Sequence, residues 1–205
     1  MTKTQKWSAV GFIVTALFLV PLLMITAQLI TSTDGQSRYG INAENLAPLS
    51  FQWQDTKLNT HIFPANSGQF TYLFAGFLSC SEICPIRIQQ LHQLENAIAQ
   101  DTELGQADIV FMFITIDPDN DTPVIRQQMI DAQSARFVSA ALAESDLLRF
   151  SQHLSENIHA YSPTNNHVGN LYLIAPNGHI ARIYTAKQLS TDKMLAELRQ
   201  YLTSN

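Results

Sequence analysis

The hydrophobic pattern divides the chain into a long apolar segment near the N-terminus and a larger part in which apolar and polar stretches alternate. From Trp7 to Ile30 the 205-residue chain carries no charged residue. A helix rises about 1.5 Å per residue, so a helix over 7–30 would exceed the roughly 30 Å hydrocarbon layer of a membrane. Lys3 and Lys6 precede this segment. Positive charge on that side predicts a cytoplasmic N-terminus, with the rest of the chain outside.

We therefore predict a transmembrane anchor at 7–30, preceded by a cytoplasmic segment at 1–6 and followed by a linker at 31–48 and a folded domain at 49–205. A cleaved signal peptide is the alternative. Its apolar core would ordinarily cover only about 7–15 residues, and no Ala-x-Ala cleavage motif follows the apolar run here. A buried helix of a soluble domain is less consistent with this length and position.

Beyond residue 49, continuous apolar runs alternate with segments in which apolar residues recur at the spacing of one helix face. The run at 69–77 is aromatic and apolar throughout, which indicates a strand buried on both faces, and 108–116 has a similar composition. The predicted strands lie at 49–53, 60–63, 69–77, 108–116, 136–139, 170–174 and 179–184. The predicted helices lie at 85–100, with Pro85 as the first helical residue, and at 122–133, 143–154 and 191–202.

This order of elements predicts an α/β domain with a central mixed sheet flanked by helices. A strand followed by cysteines and a helix, with a late hairpin and a closing helix, is the order of a thioredoxin-like fold. The formal net charge is -5, and no run or face of lysine and arginine is present that would neutralise phosphates. The sequence therefore predicts no nucleic-acid partner.

The chain has two cysteines, Cys80 and Cys84, which follow the predicted strand at 69–77 in a Cys-x-x-x-Cys pattern. Redox enzymes of thioredoxin type use two intervening residues rather than three. The sulfurs of the longer pattern can still converge, either on one helix face or in a loop that enters a helix. An oxidising compartment would also permit a disulfide. A structural disulfide, a redox pair and a metal site therefore all remain open.

Position near a helix N-terminus favours the thiolate, which is the form that attacks disulfides and binds metals. Structural zinc requires four ligands, often including further cysteines, and none is present. Two thiolates and an imidazole suit copper. Of the six histidines, His167 is the candidate third ligand, because the loop before the strand at 170–174 would lie beside the cysteines in a thioredoxin-like layout. Surface or structural positions are expected for His61, His92, His153, His159 and His179.

Three segments together carry a family resemblance. They are FAGFLSCSEICP at 74–85, FITIDPDNDTP at 113–123 and NNHVGNLYLIAPNGHIARIY at 165–184. In the same order they resemble the Sco/SenC family of membrane-anchored copper chaperones for cytochrome c oxidase assembly. That family has an aromatic strand before C-x-x-x-C-P, a D-P-x-x-D-T-P segment after a central strand, and a histidine before Y-L-I-x-P-x-G. The resemblance covers roughly residues 68 to 202.

The resemblance implies a thioredoxin-like fold and one copper ion bound by Cys80, Cys84 and His167. It further implies copper delivery to the dinuclear copper site of cytochrome c oxidase subunit II, coupled to thiol/disulfide chemistry of the cysteines. A periplasmic thiol reductant would be needed, because the sulfurs of a disulfide are poor copper ligands. The implied location is the bacterial inner membrane, with a single span and the folded domain in the periplasm.

Four acidic residues lie in segments that we expect to border the cysteines: Glu82, Asp117, Asp119 and Asp121. They could offset positive charge or steer a client. The alternative, which we favour, is that Asp117 and Asp121 cap a turn and the helix that begins near Thr122-Pro123.

The competing function is a metal-independent thiol–disulfide oxidoreductase. It would use Cys80 and Cys84 in the same fold and would not require His167. A peroxidase is less consistent with the sequence, because peroxide reduction requires an activated cysteine in a dedicated pocket and no signature of one is present. Copper binding by the reduced protein separates these functions.

Overall fold

The computed structural model describes residues 39–43, 45–65, 68–154, 156, 158 and 168–204. The predicted transmembrane anchor at 7–30 lies outside the described residues, and so do His159 and His167. Within the described part of the chain, no helix is long and apolar enough to cross a membrane.

The strands of the described residues form one mixed sheet. They are β1 (Ile41–Asn42), β2 (Phe51–Gln54), β3 (Thr60–Phe63), β4 (Phe70–Gly76), β5 (Ile109–Thr115), β6 (Phe137–Ala141), β7 (Leu171–Ile174) and β8 (Ile180–Tyr184). Their order in the sheet is β1-β8-β7-β4-β5-β6-β2-β3. Strands β4, β5 and β6 run parallel, whereas the other neighbouring pairs are antiparallel. The prediction of a central mixed sheet is confirmed.

Helices cover both faces of this sheet. They are α1 (Ile83–Gln100), α2 (Pro123–Met129), α3 (Glu144–Leu154) and α4 (Thr191–Ser204), with short 3-10 helices at Leu104–Gln106 and Asp131–Gln133. Alternate side chains of a strand point to opposite faces, and β4 follows this rule. Tyr72 and Phe74 join the core formed with α1 and α4, while Leu73 and Ala75 join the core formed with α3. Helices on both faces explain why β4 is buried along its whole length.

Two helix ends differ from the predicted ones. Helix α1 begins at Ile83 rather than at Pro85, so the proline is its third residue. The first N–H groups of a helix have no intrahelical partner, and a proline there loses no hydrogen bond. Helix α2 ends at Met129, and the last part of the predicted helix, 131–133, is a separate 3-10 turn.

The described part of the predicted linker contacts the sheet and α4. Strand β1 pairs with β8, and the Gly40 N–H donates to both carboxylate oxygens of Glu197 at 3.1 and 3.2 Å. A side chain at Gly40 would place its Cβ only 2.9 Å from Arg182 Cβ. The close approach of this backbone to β8 therefore depends on glycine.

Three segments meet at the carboxyl end of the central strands. Gly76 at the end of β4 is paired with Thr115 at the end of β5, so the chain leaves both strands at one edge. Strand β7 is antiparallel to β4, with Leu171 opposite Phe74, so the chain enters β7 at that same edge. Ligand sites of open α/β sheets lie at this edge. The segments 77–82, 116–122 and 168–170 are thereby brought close together.

Candidate metal centre

The loop that carries Cys80 turns back directly after β4 and then enters α1. The Cys80 N–H donates to the Phe77 carbonyl at 3.2 Å. Glu82 is the N-cap residue of α1, but its side chain makes no capping hydrogen bond. The first N–H groups of the helix are therefore free to approach the half-buried sulfur of Cys80.

The surroundings of Cys80 favour its thiolate. Partial burial opposes ionisation, but hydrogen bonds from the N–H groups of Cys84, Glu82 and Ile83 and from the Cys84 thiol lower the pKa of Cys80 below its usual value. Hydrogen bonds to the charged form of a group stabilise that form. The prediction that the helix N-terminus favours the thiolate of both cysteines is therefore supported for Cys80 and wrong for Cys84, whose pKa is raised.

Cys84 lies in the first turn of α1 and is 1% exposed. Burial raises the pKa of Cys84 to about 12; an opposing hydrogen bond from Phe77 is outweighed, and Cys80 and Asp121 add to the increase. The sulfur packs over Gly76, where a Cβ would lie 3.0 Å from Cys84 Sγ. Both cysteines are free thiols in this structure.

Asp121 joins the end of β5 to the cysteine loop. Its two carboxylate oxygens accept from the Leu78 N–H, each at 3.1 Å, and the Thr115 hydroxyl donates to Oδ2 at 2.7 Å. Burial raises the pKa of Asp121, and these hydrogen bonds partly oppose the increase. Asp121 is therefore a buried carboxylate that shapes the loop around Cys80.

The prediction that Asp121 caps α2 is wrong. The Thr122 hydroxyl accepts from the Ile125 N–H at 3.5 Å and is the N-cap group of that helix. The Asp117 carboxylate accepts from the Asn120 side-chain amide at 3.0 and 2.9 Å, so its predicted role in a turn is confirmed. Glu82 and Asp119 are exposed.

The chain just before β7 is held against the start of α1. Arg87 donates to the Gly169 carbonyl through Nε at 3.0 Å and through Nη2 at 2.5 Å. A Cβ at Gly169 would lie 3.2 Å from Ile83 Cγ1, so the backbone there contacts the helix one residue before Cys84. His167 itself, two residues before Gly169, lies outside the described residues.

The described histidines take part in local contacts. His61 stacks on Trp53 with 4.4 Å between ring centroids, His92 stacks on Phe137, and the His153 ring lies 2.7 Å from the Ala47 carbonyl. Among the described residues, no group of three or more histidine, cysteine and acidic side chains could hold a metal ion. The described part of the site is therefore the cysteine pair.

Sequence reasoning missed Arg87 and the packing role of Gly76. Arg87 is three residues after Cys84 and four before Leu91, so it occupies the buried face of α1. A charged residue at an apolar position of a helix is a signal that could have identified it. Nothing in the local pattern indicates that Gly76 contacts a sulfur.

The match to known proteins agrees with this geometry. The family described as SCO1/SenC matches residues 47–203. The chain belongs to the SCO1/SenC family. Over 129 residues it is 30% identical to the SCO2-like protein RT0576 of Rickettsia typhi, an alignment that covers 58% of this chain and 62% of the relative. The chain thus aligns with about three fifths of the length of that relative.

Solved structures of Sco proteins share the fold. Arabidopsis thaliana ScoI with copper bound superposes with a TM-score of 0.62 at 16% identity, covering 77% of this chain and 99% of ScoI. BsSco, a member of the Sco family of cytochrome c oxidase assembly proteins in which a disulfide switch was identified, superposes with a TM-score of 0.63 at 17% identity, covering 83% and 99%. The predicted thioredoxin-like arrangement is therefore that of the SCO1/SenC fold.

Proposed function

We propose that this protein is a copper chaperone that is anchored in the bacterial inner membrane by residues 7–30 and folded in the periplasm. It binds one copper ion through Cys80, Cys84 and His167 and delivers it to the dinuclear copper site of cytochrome c oxidase subunit II. The observation that carries the proposal is the free cysteine pair at the carboxyl edge of the sheet, with the chain that follows His167 held beside it. ScoI with copper bound and the cytochrome c oxidase assembly family of BsSco support the choice of metal and client.

Chain connectivity supports His167 as the third ligand. Gly169 contacts Ile83, and two residues of extended chain span at most about 7 Å. The proposal for His167 therefore rests on its short connection in sequence to Gly169, a residue that contacts the first turn of α1. Two soft thiolates and one imidazole form a donor set that suits copper.

The two cysteines contribute differently to copper uptake. Cys80 is half-buried and ionises more readily than Cys84, so we expect it to meet the incoming ion first. Cys84 is buried with a pKa near 12, and its proton must leave when copper binds. Handover then proceeds by ligand exchange, in which a client thiolate replaces a ligand on the exposed side. A periplasmic thiol reductant keeps both cysteines reduced between cycles.

Metal-independent thiol–disulfide exchange is the second candidate. A half-buried cysteine of lowered pKa next to a buried cysteine of raised pKa is an arrangement in which the first attacks and the second resolves the mixed disulfide. This function needs no contribution from His167.

The experiment is a copper titration of the reduced full-length chain, purified in detergent. We expect one copper per chain and an intense thiolate-to-copper absorption band for the cupric form. His167→Ala should weaken binding and change the band. His179→Ala is the matched control, because the described hydrogen bonds of His179 are made by its backbone N–H and carbonyl.

Two results would contradict the proposed copper site. Binding by His167→Ala as tight as in the wild type removes His167 from the site. A reduced chain that binds no copper yet catalyses disulfide exchange favours the oxidoreductase over the chaperone.

A further inference from the structure

The Arg87 side chain is fully buried, with 0% of its surface exposed. Besides its two hydrogen bonds to the Gly169 carbonyl, Nη1 donates to the Gln90 amide oxygen at 2.7 Å and Nη2 donates to the Ala186 carbonyl at 3.2 Å. All of these acceptors are neutral oxygens. Among the described residues no carboxylate forms an ion pair with Arg87. A buried cation is ordinarily paired with an anion, so its position requires a reason other than an ion pair.

Arg87 joins three segments that are distant in sequence. They are helix α1, the chain just before β7, and the chain that follows β8. Gln90 reinforces the third connection, since its side-chain amide donates to the Lys187 carbonyl at 2.9 Å. The guanidinium can do this because its planar fork presents several N–H groups in fixed directions, which a lysine ammonium does not.

The strongest of these contacts lies close to the candidate ligands. Arg87 is three residues after Cys84, and Gly169 is two residues after His167. The Gly169 carbonyl receives two of the guanidinium hydrogen bonds, one of them at 2.5 Å. The backbone of Gly169 also lies against Ile83, whose contact leaves little room for a side chain at that position. The separation between α1 and this segment is therefore fixed by both hydrogen bonds and packing.

We propose that Arg87 is a positioning residue of the copper site: it holds the Gly169 carbonyl, and with it the chain that enters β7, against the helix that carries Cys84. This inference rests on the proposed function, in which His167 and Cys84 bind the same ion. Arg87 does not touch the metal. Residues that orient metal ligands typically change metal affinity by about 10–100-fold when they are replaced.

A double-mutant cycle of copper affinities separates a positioning role of Arg87 from a general structural role. The variants are Arg87→Met, His167→Ala and the combination of both, each titrated with Cu(II) as the reduced full-length chain in detergent. We expect Arg87→Met to weaken binding about 10–100-fold when His167 is present. When His167 is absent, the same replacement should have little further effect, because Arg87 acts through His167.

The control is Arg136→Met. Arg136 donates to the Gly105 carbonyl at 2.7 Å and so also holds a backbone oxygen, but at the far end of α1 from the cysteines. This variant should bind copper as the wild type does. Equal losses for Arg87→Met with and without His167, or no loss at all, would overturn the inference. If Arg87→Met does not fold, Gln90→Leu removes the Nη1 acceptor and the bond to Lys187 and takes its place in the cycle.

A copper-free measurement keeps the two proposals distinguishable. Backbone hydrogen exchange of the reduced, metal-free chain should be faster at Gly169 and Asn170 in Arg87→Met than in the wild type or in Arg136→Met. Unchanged exchange at these amides overturns the inference, whatever the copper result. Faster exchange in a chain whose wild type binds no copper retains the anchoring role of Arg87 and rejects the copper site.

Discussion

The loop that carries Cys80 and the helix turn that carries Cys84 are adjacent but chemically opposite. The sulfur in the loop is half-exposed and meets the N–H groups of a helix start, which lowers its pKa. The sulfur in the turn is buried among β4 and α1, which raises its pKa to about 12. The two cysteines are only four positions apart in the chain, yet the thiol of Cys80 ionises more readily than that of Cys84.

This difference shows that spacing alone does not define the chemistry of a cysteine pair. A Cys-x-x-x-Cys pattern could place both sulfurs on one helix face, where they would have similar surroundings. Here α1 begins at Ile83, between the two cysteines, so one lies before the helix and the other inside it. The helix boundary therefore assigns the exposed role to Cys80.

The largest expected effect is on alkylation of the two thiols. The pKa of Cys80 is lowered and that of Cys84 is raised to about 12, so at neutral pH a much larger fraction of Cys80 than of Cys84 is thiolate. A thiolate of lower pKa is less nucleophilic, with a Brønsted slope of about 0.5, so this offsets only part of the advantage of Cys80, and the burial of Cys84 increases the difference in rate. Mass spectrometry of the reduced chain after timed iodoacetamide treatment measures the ratio of the two alkylation rates. Equal rates would contradict the contrast between the two sulfurs.

The next effect concerns the packing around Cys84. Gly76→Ala would place a Cβ 2.8 Å from the Phe74 ring and 3.0 Å from Cys84 Sγ, so the sulfur or the ring must move. Overpacking of this kind costs about 1–3 kcal/mol of the free energy of unfolding. Urea denaturation of the reduced protein checks this value.

Gly105→Ala is the matched control for that substitution. Its Cβ would meet the Ile98 and Ala99 carbonyl oxygens at 3.4 and 3.6 Å. The change should therefore stay within about 1 kcal/mol of the wild type. If the two alanine variants have the same stability, Cys84 is less tightly packed than we conclude.

The smallest effect is a pH dependence through Asp121. Because burial raises the pKa of Asp121 above its usual 3.8, the stability associated with its protonated form is complete below about pH 3.8 and is lost as the pH rises through the higher folded value. Asp121→Asn removes this titration. The free energy of unfolding should therefore fall less steeply in the variant than in the wild type as the pH rises from about 4 towards neutrality. Denaturation curves at several pH values measure the two slopes, and equal slopes would show that Asp121 does not titrate differently in the folded state.

The sheet centre was predictable because its strands are buried on both faces. Continuous apolar composition at 69–77 and 108–116 predicted β4 and β5 to within about two residues, and the pair of short strands β2 and β3 was also found. The start of α1 was placed two residues late, because a proline is accepted throughout the first helical turn. The pairing of β1 with β8 was missed, since a two-residue strand in a polar segment has no detectable periodicity.

The candidate site was predictable only in part. The cysteine pair and the carboxyl edge of the sheet followed from the order of strands and motifs. The role of Asp121 was predicted wrongly, because capping is a local rule and its carboxylate instead bonds Leu78, 43 residues away. The third ligand, His167, lies outside the described residues and stays a prediction.

The sequence by itself determined the fold class, the family segments and the position of the two cysteines at the end of a buried strand. These depend on composition and short-range spacing, which are properties of the chain before it folds. Only the tertiary structure decided which cysteine is exposed, which carboxylate supports its loop, and that Arg87 meets a carbonyl 82 residues away. Such contacts arise when separate segments pack at one sheet edge, because hydrogen bonds and burial there depend on distances that no local pattern encodes.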